Sequence, residues 1–199
     1  MLAKFTCIDG CSDCCDYREY FPSVKYGKIG VILLPEEKTR MESLAKKMNK
    51  KLHILPRIGI GRSKRGKSPK NIIAYQMMGK KLNGNLCPFL ANEGSERSPH
   101  GGFRCTIYDE RPLACRAYPI VTEIKSYAVL DSKCQFCHKK NSSTIVEKNS
   151  VKNEVESLTR IKSEISVHKG IEVWRYATAI GDFEDRSKFL PEGWVLEDI

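Results

Sequence analysis

The feature that most constrains this sequence is the segment CIDGCSDCC, residues 7–15, which places four cysteines within nine positions. Closely spaced thiolates repel one another unless a cation neutralises them, and thiolates select zinc, Cu(I) or iron–sulfur clusters. A segment this dense in cysteine is therefore typical of a metal site. The nine cysteines of the chain are Cys7, Cys11, Cys14, Cys15, Cys87, Cys105, Cys115, Cys134 and Cys137.

A disulfide framework is the main alternative for these cysteines. The chain has 199 residues, 41% of them hydrophobic, so it can bury a core without covalent cross-links. No apolar run approaches the ~20 residues of a membrane span, and the N-terminus lacks the apolar stretch of a secretory signal. We therefore expect a cytoplasmic protein with no membrane contact. In a reducing compartment, clustered cysteines favour metal or redox chemistry over disulfides.

The pattern of elements predicts an α+β fold, with a small sheet and flanking helices organised around a cysteine-ligated metal centre. Pro35 and two following glutamates predict a helix start, and apolar residues spaced three or four apart predict a second helix. We predict helices at 35–51, 109–119, 151–168 and 170–182, and strands at 28–34, 71–78, 84–90 and 120–130. We divide the chain into a metal-binding domain, 1–140, and a helical C-terminal extension, 150–199.

Positive charge is concentrated in the middle of the chain. The net charge is +10, yet residues 43–92 hold twelve Lys and Arg and no Asp or Glu, which leaves 22 basic and 24 acidic residues elsewhere. Glycines and serines among the basic residues of 57–70 predict a mobile loop inserted into the cysteine domain. The residues that could contact RNA or DNA phosphates there are Arg57, Arg62, Lys64, Arg65, Lys67 and Lys70.

Base-specific recognition by this basic stretch is not supported by its composition. Tyr75 is the sole aromatic residue between Tyr26 and Phe89, so side chains that could stack on bases are scarce. Non-specific contact with RNA or DNA is consistent with the charge. The competing interpretation is a solvated loop that maintains solubility.

Three other interpretations of the cysteines stay open at this level. C-x3-C-x2-C is the spacing of radical S-adenosylmethionine enzymes, but only six residues precede Cys7, too few for the usual first barrel strand. The string CQFCH matches a haem-attachment motif, although covalent haem requires export in most cells. Cys14 or another thiol could also be a nucleophile or redox sensor, which needs a low-pKa setting.

Two arginines flank a cysteine in the segment DERPLACRAYP. A cation beside a thiolate lowers its pKa or offsets the charge of a cluster, so Arg111 and Arg116 are candidates to support Cys115. Alternatively, both are surface residues of a helix that pair with Asp109 or Glu110.

The combination of C-x3-C-x2-CC, CPFL and C-x-IY-x-x-RP-x-x-CR-x-YP resembles the zinc- or iron-chelating cysteine-cluster proteins, also called YkgJ-like, from about Cys7 to Cys134. The resemblance implies an intracellular domain that binds iron, as an iron–sulfur cluster, or zinc. It implies the ligands Cys7, Cys11, Cys14, Cys15, Cys87, Cys105, Cys115 and Cys134. Cys137 departs from the family pattern, so the choice between Cys134 and Cys137 stays open.

The compact cysteine spacing favours an iron–sulfur cluster over zinc, since structural zinc sites usually show two C-x2-C pairs. The metal is expected to be structural or electron-accepting, because no Ser-His-Asp set, Walker loop or paired acid and base is evident. Related clusters in flagellin lysine N-methylases make a protein-lysine methylase-like enzyme one alternative. An RNA- or ribosome-associated module, in which zinc holds the fold, is the other.

Overall fold

The computed structural model describes residues 4–16, 22–23, 27–28, 30–79, 86–91, 94–98, 101–139, 144–178 and 193–197. The chain forms two compact units. The cysteine unit comprises Met1–Arg18 and Lys80–Ser163, and the sheet unit comprises Glu19–Gly79 and Glu164–Ile199. All nine cysteines therefore belong to the cysteine unit.

The elements, numbered along the chain, establish the predicted α+β fold, and their strands pair in small antiparallel sheets. They are α1 (Asp13–Asp16), β1 (Pro22–Ser23), β2 (Gly27–Lys28), β3 (Val31–Leu33), α2 (Pro35–Lys47), β4 (His53–Ile60), β5 (Asn71–Met78), β6 (Leu90–Ala91), β7 (Arg104–Cys105), a 3-10 helix (Tyr108–Glu110), α3 (Leu113–Ala117), β8 (Ile120–Ile124), β9 (Tyr127–Leu130), α4 (Gln135–Lys139), β10 (Ile145–Glu147), a second 3-10 helix (Lys148–Val151), α5 (Lys152–Glu164), β11 (Val173–Ala177) and β12 (Gly193–Leu196).

The sheet unit is built on a five-stranded antiparallel sheet in the order β12-β11-β4-β5-β3. Strands β4 and β5 are the longest, with eight residues each. Helix α2 contacts β3 and β5, and its buried Met41 belongs to the same unit as the buried Leu33 and Met77 of those strands. Burial of such large apolar side chains is the main source of stability in a unit of this kind.

Helix α2 begins at Pro35, as predicted. The buried carboxylate of Glu37 accepts a hydrogen bond from the Leu34 backbone N–H at 3.0 Å, which satisfies one of the free donors at the start of the helix. The helix ends at Lys47, four residues before the predicted end, with Lys46 and Lys47 in its last turn, where they interact favourably with the helix dipole.

The cysteine unit contains a three-stranded antiparallel sheet, in the order β10-β9-β8, and a two-residue pair, β6 with β7. One face of the larger sheet carries a hydrophobic core, which includes Ala128 and Val146 and the side chains of Phe136, from α4, and Val155, from α5. Phe5, near the N-terminus, packs its ring against Phe136 with centroids 5.2 Å apart. The short elements around this core hold the cysteines.

Several local predictions in the cysteine unit are wrong. Of the strand predicted over 84–90, residues 84 and 85 lie outside the described residues; Leu86 forms a single bridge, a turn follows Cys87, and the strand β6 begins at Leu90. Residues 120–130 form a two-stranded hairpin, because Lys125 adopts a positive φ of 48° and reverses the chain. The helix predicted from Asp109 starts at Leu113, since Pro112 lies directly before it and Asp109 belongs to the first 3-10 helix.

Two further corrections concern the sheet unit. Residues 57–60 are part of β4 and not of a loop, and hydrogen bonds order the turn that follows them. In the predicted helical extension over 150–199, the helix α5 ends at Glu164, and the described residues 173–177 and 193–196 are instead the paired strands β11 and β12; residues 179–192 lie outside the described residues. The sequence VWRYA in β11 is rich in aromatic and β-branched residues, which pack well on a pleated sheet. Whether residues 1–140 fold without 150–199 stays a prediction.

All strand pairs in the described ranges are antiparallel, which argues against the parallel barrel that usually accompanies the radical S-adenosylmethionine spacing. No helix in the part of the chain that the structure describes is both long and apolar enough to cross a membrane.

Candidate metal centre

Cysteines from four separate segments of the cysteine unit line one cavity. Its volume is about 170 Å³, which is comparable to the ~150 Å³ cavities that admit a benzene-sized molecule. The chain brings to this cavity thiols that are as many as 127 positions apart in sequence. The lining cysteines are Cys7, Cys11, Cys14, Cys15, Cys105, Cys115 and Cys134.

The first segment reaches the cavity through a turn and a single helical turn. The Cys11 N–H donates to the Ile8 carbonyl at 3.1 Å, and Gly10, at φ 76°, supplies the left-handed conformation that the turn needs. Helix α1 follows directly and carries both Cys14 and Cys15. The Sγ atoms of these neighbours lie 3.9 Å apart. Adjacent cysteines therefore both line the cavity.

A glycine fixes the backbone beside Cys11. A Cβ atom on Gly102 would lie 2.2 Å from the Cys11 carbonyl oxygen and 3.1 Å from the Ser12 nitrogen. No side chain fits at such distances, so the loop at 101–102 approaches the cysteine segment closely because it carries glycine.

The central cysteines are positioned by β6, β7 and α3. The Cys87 N–H donates to the Cys15 carbonyl at 2.9 Å, which joins the central segment to the N-terminal one. Cys105 lies in β7 opposite Leu90, and Cys115 lies in α3. Cys87 is thus placed beside the cavity through Cys15, and the other two line it directly.

Cys134 and Cys137 occupy different environments. Cys134 lines the cavity, whereas Cys137 is buried in the hydrophobic core and its Sγ donates to the Asp131 carbonyl at 3.6 Å. Of the two cysteines between which the sequence left the choice open, Cys134 is therefore the one that lines the cavity. A haem attached through both cysteines would need both thiols accessible, and the burial of Cys137 argues against it.

Burial and neighbouring thiols raise the pKa of several cavity cysteines. Burial raises the pKa of Cys105 to about 11, with further increases from Cys87 and Cys115. Burial likewise raises the pKa of Cys134 to about 11, and neighbouring Cys137, Cys11 and Cys7 add to the shift. A cation would stabilise the thiolate forms of Cys105 and Cys134, as metal coordination does.

The raised pKa values of Cys7 and Cys15 identify further pairs of neighbouring thiols. Burial is the largest cause of the raised pKa of Cys7, followed by the charges of Cys11 and Cys14. The pKa of Cys15 is raised chiefly by its side-chain hydrogen bonds, first to Cys14 and then to Cys87. These shifts argue against a resting low-pKa nucleophile at Cys7 or Cys15.

The two arginines line the same cavity. The Arg111 guanidinium stacks on the Tyr108 ring, with its centre 3.7 Å from the ring centroid, and its Nε donates to the Tyr108 carbonyl at 2.8 Å. Arg116 donates to the main-chain carbonyls of Arg111 and Asp109. The charge of Arg111 acts to lower the pKa of Cys105, so this cation does influence a cavity thiol.

The lining also includes residues outside the sequence motifs. Glu154 of α5, Phe5 and Phe103 contribute to the cavity wall. Phe5 and Phe103 each lie two residues before a cavity cysteine, so proximity in sequence could have indicated them, whereas Glu154 lies 20 positions after Cys134 and only the fold brings it to the cavity.

By donor type, the cavity fits a soft metal ion or an iron–sulfur cluster, since its lining contains, among the described residues, seven thiols and a single carboxylate. All nine cysteines are free thiols. In the ranges described, no three Cys, His, Asp or Glu side chains stand close enough together to hold a metal ion as placed. The sulfur atoms would therefore have to move closer together to coordinate a metal.

The six basic residues predicted to contact nucleic acid lie in the sheet unit. Arg57 is 5% exposed, and its guanidinium donates to the Tyr176 carbonyl at 3.3 Å; this burial is incompatible with a surface phosphate contact. The other five, all exposed, are Arg62, Lys64, Arg65, Lys67 and Lys70.

Comparisons with known proteins give one result. No curated protein and no solved structure matches the chain. A family model described as "Putative zinc- or iron-chelating domain", CxxCxxCC, matches residues 6–138, a range that includes every cysteine. The chain therefore belongs to this zinc- or iron-chelating CxxCxxCC family.

Proposed function

We propose that the cysteine unit coordinates an iron–sulfur cluster or zinc, in a structural or electron-accepting role. The observation that carries the proposal is that seven thiols from four segments line one cavity. Bringing these distant segments together costs conformational entropy, and metal binding contributes folding free energy that offsets such a cost. Family membership supports metal binding at this cavity.

The neighbour relations among the thiols suggest two groups of four. The first group is Cys7, Cys11, Cys14 and Cys134, and the second is Cys15, Cys87, Cys105 and Cys115. Four thiolates satisfy either a tetrahedral zinc ion or a [4Fe–4S] cluster. We therefore assign these eight residues to two neighbouring sites that meet where Cys14 and Cys15 adjoin.

The surrounding side chains have supporting roles in this proposal. Arg111 and Arg116 offset part of the negative charge that four thiolates bring to a site. Tyr108 holds the Arg111 guanidinium by stacking and by accepting its Nε–H through the main chain. When bound, zinc would cross-link the segments, and an iron–sulfur cluster would in addition accept an electron.

The test is elemental analysis and an absorption spectrum of the full chain purified without oxygen. We expect either about two zinc ions per chain, or iron with an equal amount of acid-labile sulfide and broad visible absorption. Cys115→Ser should lose about half of the metal, because it removes one ligand from the second group. Cys137→Ser is the matched control and should keep all of it.

Three results would contradict the proposal. Protein without zinc or iron removes it altogether. Equal metal loss from Cys137→Ser and Cys115→Ser shows that the cavity position of a thiol does not matter. A single ion per chain, lost in Cys14→Ser and Cys15→Ser alike, retains metal binding but overturns the division into two sites.

A further inference from the structure

The turn between β4 and β5, residues 61–70, forms a cationic arm on the sheet unit. Its sequence, GRSKRGKSPK, contains five basic residues and no acidic one. All five basic side chains are exposed. The arm therefore presents a dense positive charge to solvent.

Hydrogen bonds within the arm order its backbone. The Ser63 N–H donates to the Ser68 carbonyl at 2.9 Å, and the Gly66 N–H donates back to the Ser63 carbonyl at 2.9 Å. The hydroxyls of Ser63 and Ser68 are 3.0 Å apart, and the Lys70 N–H reaches the Ile60 carbonyl at 3.1 Å. The two sides of the arm thus continue the β4–β5 ribbon into a tight turn.

The base of the arm is anchored to the sheet. The Trp174 indole N–H donates to the Gly61 carbonyl at 2.7 Å, and the Gly61 N–H donates to the Glu172 carbonyl at 2.9 Å. Arg62 binds the Glu172 carboxylate through two nitrogens, at 3.0 and 2.5 Å. Arg62 therefore helps to hold the arm in place, and its charge is already compensated.

The other four cations of the arm differ from Arg62 in their ion pairing. Within the described ranges, Lys64, Arg65, Lys67 and Lys70 form no ion pair. An ordered ribbon that carries uncompensated cations loses little conformational entropy when it binds an extended polyanion. The ~12 Å major groove of B-DNA admits a two-stranded ribbon in general.

We propose that this arm binds the phosphate backbone of nucleic acid without reading its sequence. The arm has no aromatic residue to stack on a base and no Asn or Gln to pair with an adenine edge. It also lacks the large apolar side chains with which membrane-surface segments insert into lipid. Charge on an ordered ribbon favours nucleic acid over a bilayer as the partner.

The chain offers a matched control for net charge. The C-terminal end of α2 and the residues after it carry Lys46, Lys47, Lys50 and Lys51. They precede the first residue of β4, whereas the arm follows its last, and eight strand residues span roughly 25 Å. Neutralising these four lysines changes the charge by the same amount at the other end of the strand.

The experiment measures anisotropy of a labelled random-sequence DNA duplex with the full, metal-loaded chain. Four phosphate contacts predict that affinity falls about 100-fold between 50 and 200 mM salt. Replacing Lys64, Arg65, Lys67 and Lys70 by Gln should abolish most of this salt dependence and weaken binding at 50 mM by more than ~30-fold. Replacing Lys46, Lys47, Lys50 and Lys51 by Gln should change affinity less than ~3-fold.

Any of three outcomes overturns the proposal. Equal weakening by the two quadruple variants would assign binding to net charge and not to the arm. No salt-dependent binding by the unmodified chain would remove nucleic acid as a partner. Arm-dependent binding to phosphatidylserine vesicles, with duplex affinity unchanged in the arm variant, would make a lipid surface the partner. Metal content and circular dichroism, measured on each variant, verify that the changes leave the fold intact.

Discussion

The two units of this protein are stabilised by different means. The sheet unit has a five-stranded sheet covered by a 13-residue helix, buried Leu33 and Met77, and no cysteine. The cysteine unit has sheets of two and three strands and places seven thiols around a cavity. A broad apolar face can stabilise a unit by burial alone. Where the strands are short and thiols line an internal cavity, a bound metal would supply additional stabilisation.

Metal removal should have the largest effect, and it should destabilise the cysteine unit but not the sheet unit. We expect a chelator, under reducing and oxygen-free conditions, to abolish amide protection at Cys87, Cys105 and Cys115 while β4 and β5 keep theirs. Structural zinc contributes roughly 10–16 kcal/mol of apparent binding free energy in zinc-finger peptides, so the effect should be large. Hydrogen exchange read by mass spectrometry measures both units at once. Equal loss of protection in the two units, or no loss in either, would contradict the proposal that metal stabilises the cysteine unit alone.

Truncating one buried leucine in each unit should have the next largest effect on stability. Leu33, in the sheet unit, and Leu130, in the cysteine unit, are 0% and 2% exposed. Each Leu→Ala change should cost about 2–5 kcal/mol of unfolding free energy. Leu130→Ala should also weaken metal retention, because Leu130 belongs to the core against which Cys134 packs. Denaturant titration measures the stability loss, and metal analysis measures metal retention. Equal metal loss in Leu33→Ala and Leu130→Ala would contradict the predicted dependence of metal retention on the core of the cysteine unit.

A single methyl group at Gly102 should disturb the cysteine unit more than its size suggests. The added Cβ would lie 2.2 Å from the Cys11 carbonyl oxygen, and relieving such overpacking typically costs about 1–3 kcal/mol. We expect Gly102→Ala to lower metal content in elemental analysis. Gly170→Ala, in the sheet unit, is the control: its φ is 89°, and no atom lies within 4 Å of the added Cβ. Full metal occupancy in Gly102→Ala would show that the close approach to Cys11 is dispensable.

The sequence predicted best those features that depend on local chemistry. Pro35 marked the start of α2 because its fixed φ suits a first helical turn. Apolar spacing predicted the helix that became α5, since a 3.6-residue period is visible without tertiary information. The family, identified from the cysteine spacing and the RP segment, is confirmed over residues 6–138.

Features that depend on tertiary contacts were not predictable in the same way. Arg57 looked like one of six surface cations, but its place in β4 buries it against the Tyr176 carbonyl. Cys134 and Cys137 looked equivalent, but Cys137 is buried in a core with Val146 and Val155, whereas Cys134 lines the cavity. Residues 173–177 were predicted as helix, and pairing with both β4 and β12 made them a strand. In each case the neighbour that decides the outcome is distant in sequence.

The smallest expected effect concerns the carboxylate that links β8 to the elements around it. Glu123 pairs with the Lys148 ammonium and accepts a hydrogen bond from the Thr159 hydroxyl at 3.0 Å. The hydrogen bond from Lys148, followed by that from Thr159, lowers the pKa of Glu123 below its usual 4.5. Because the folded-state pKa is lowered, the pair stabilises the fold above about pH 4.5, and this contribution disappears as the pH falls through the folded pKa.

Glu123→Gln should therefore reduce stability at pH 7 by less than about 1 kcal/mol, as is usual for a partly exposed ion pair. The difference in Tm between the variant and the unmodified chain should shrink toward zero as the pH falls below the ordinary glutamate pKa. Thermal unfolding at several pH values measures this Tm difference. The control is Arg175→Gln, which breaks an ion pair of the same kind, Arg175–Glu197, in the sheet unit. A Tm difference for Glu123→Gln that is constant with pH would mean that packing, and not the charge of the carboxylate, links β8 to its neighbours.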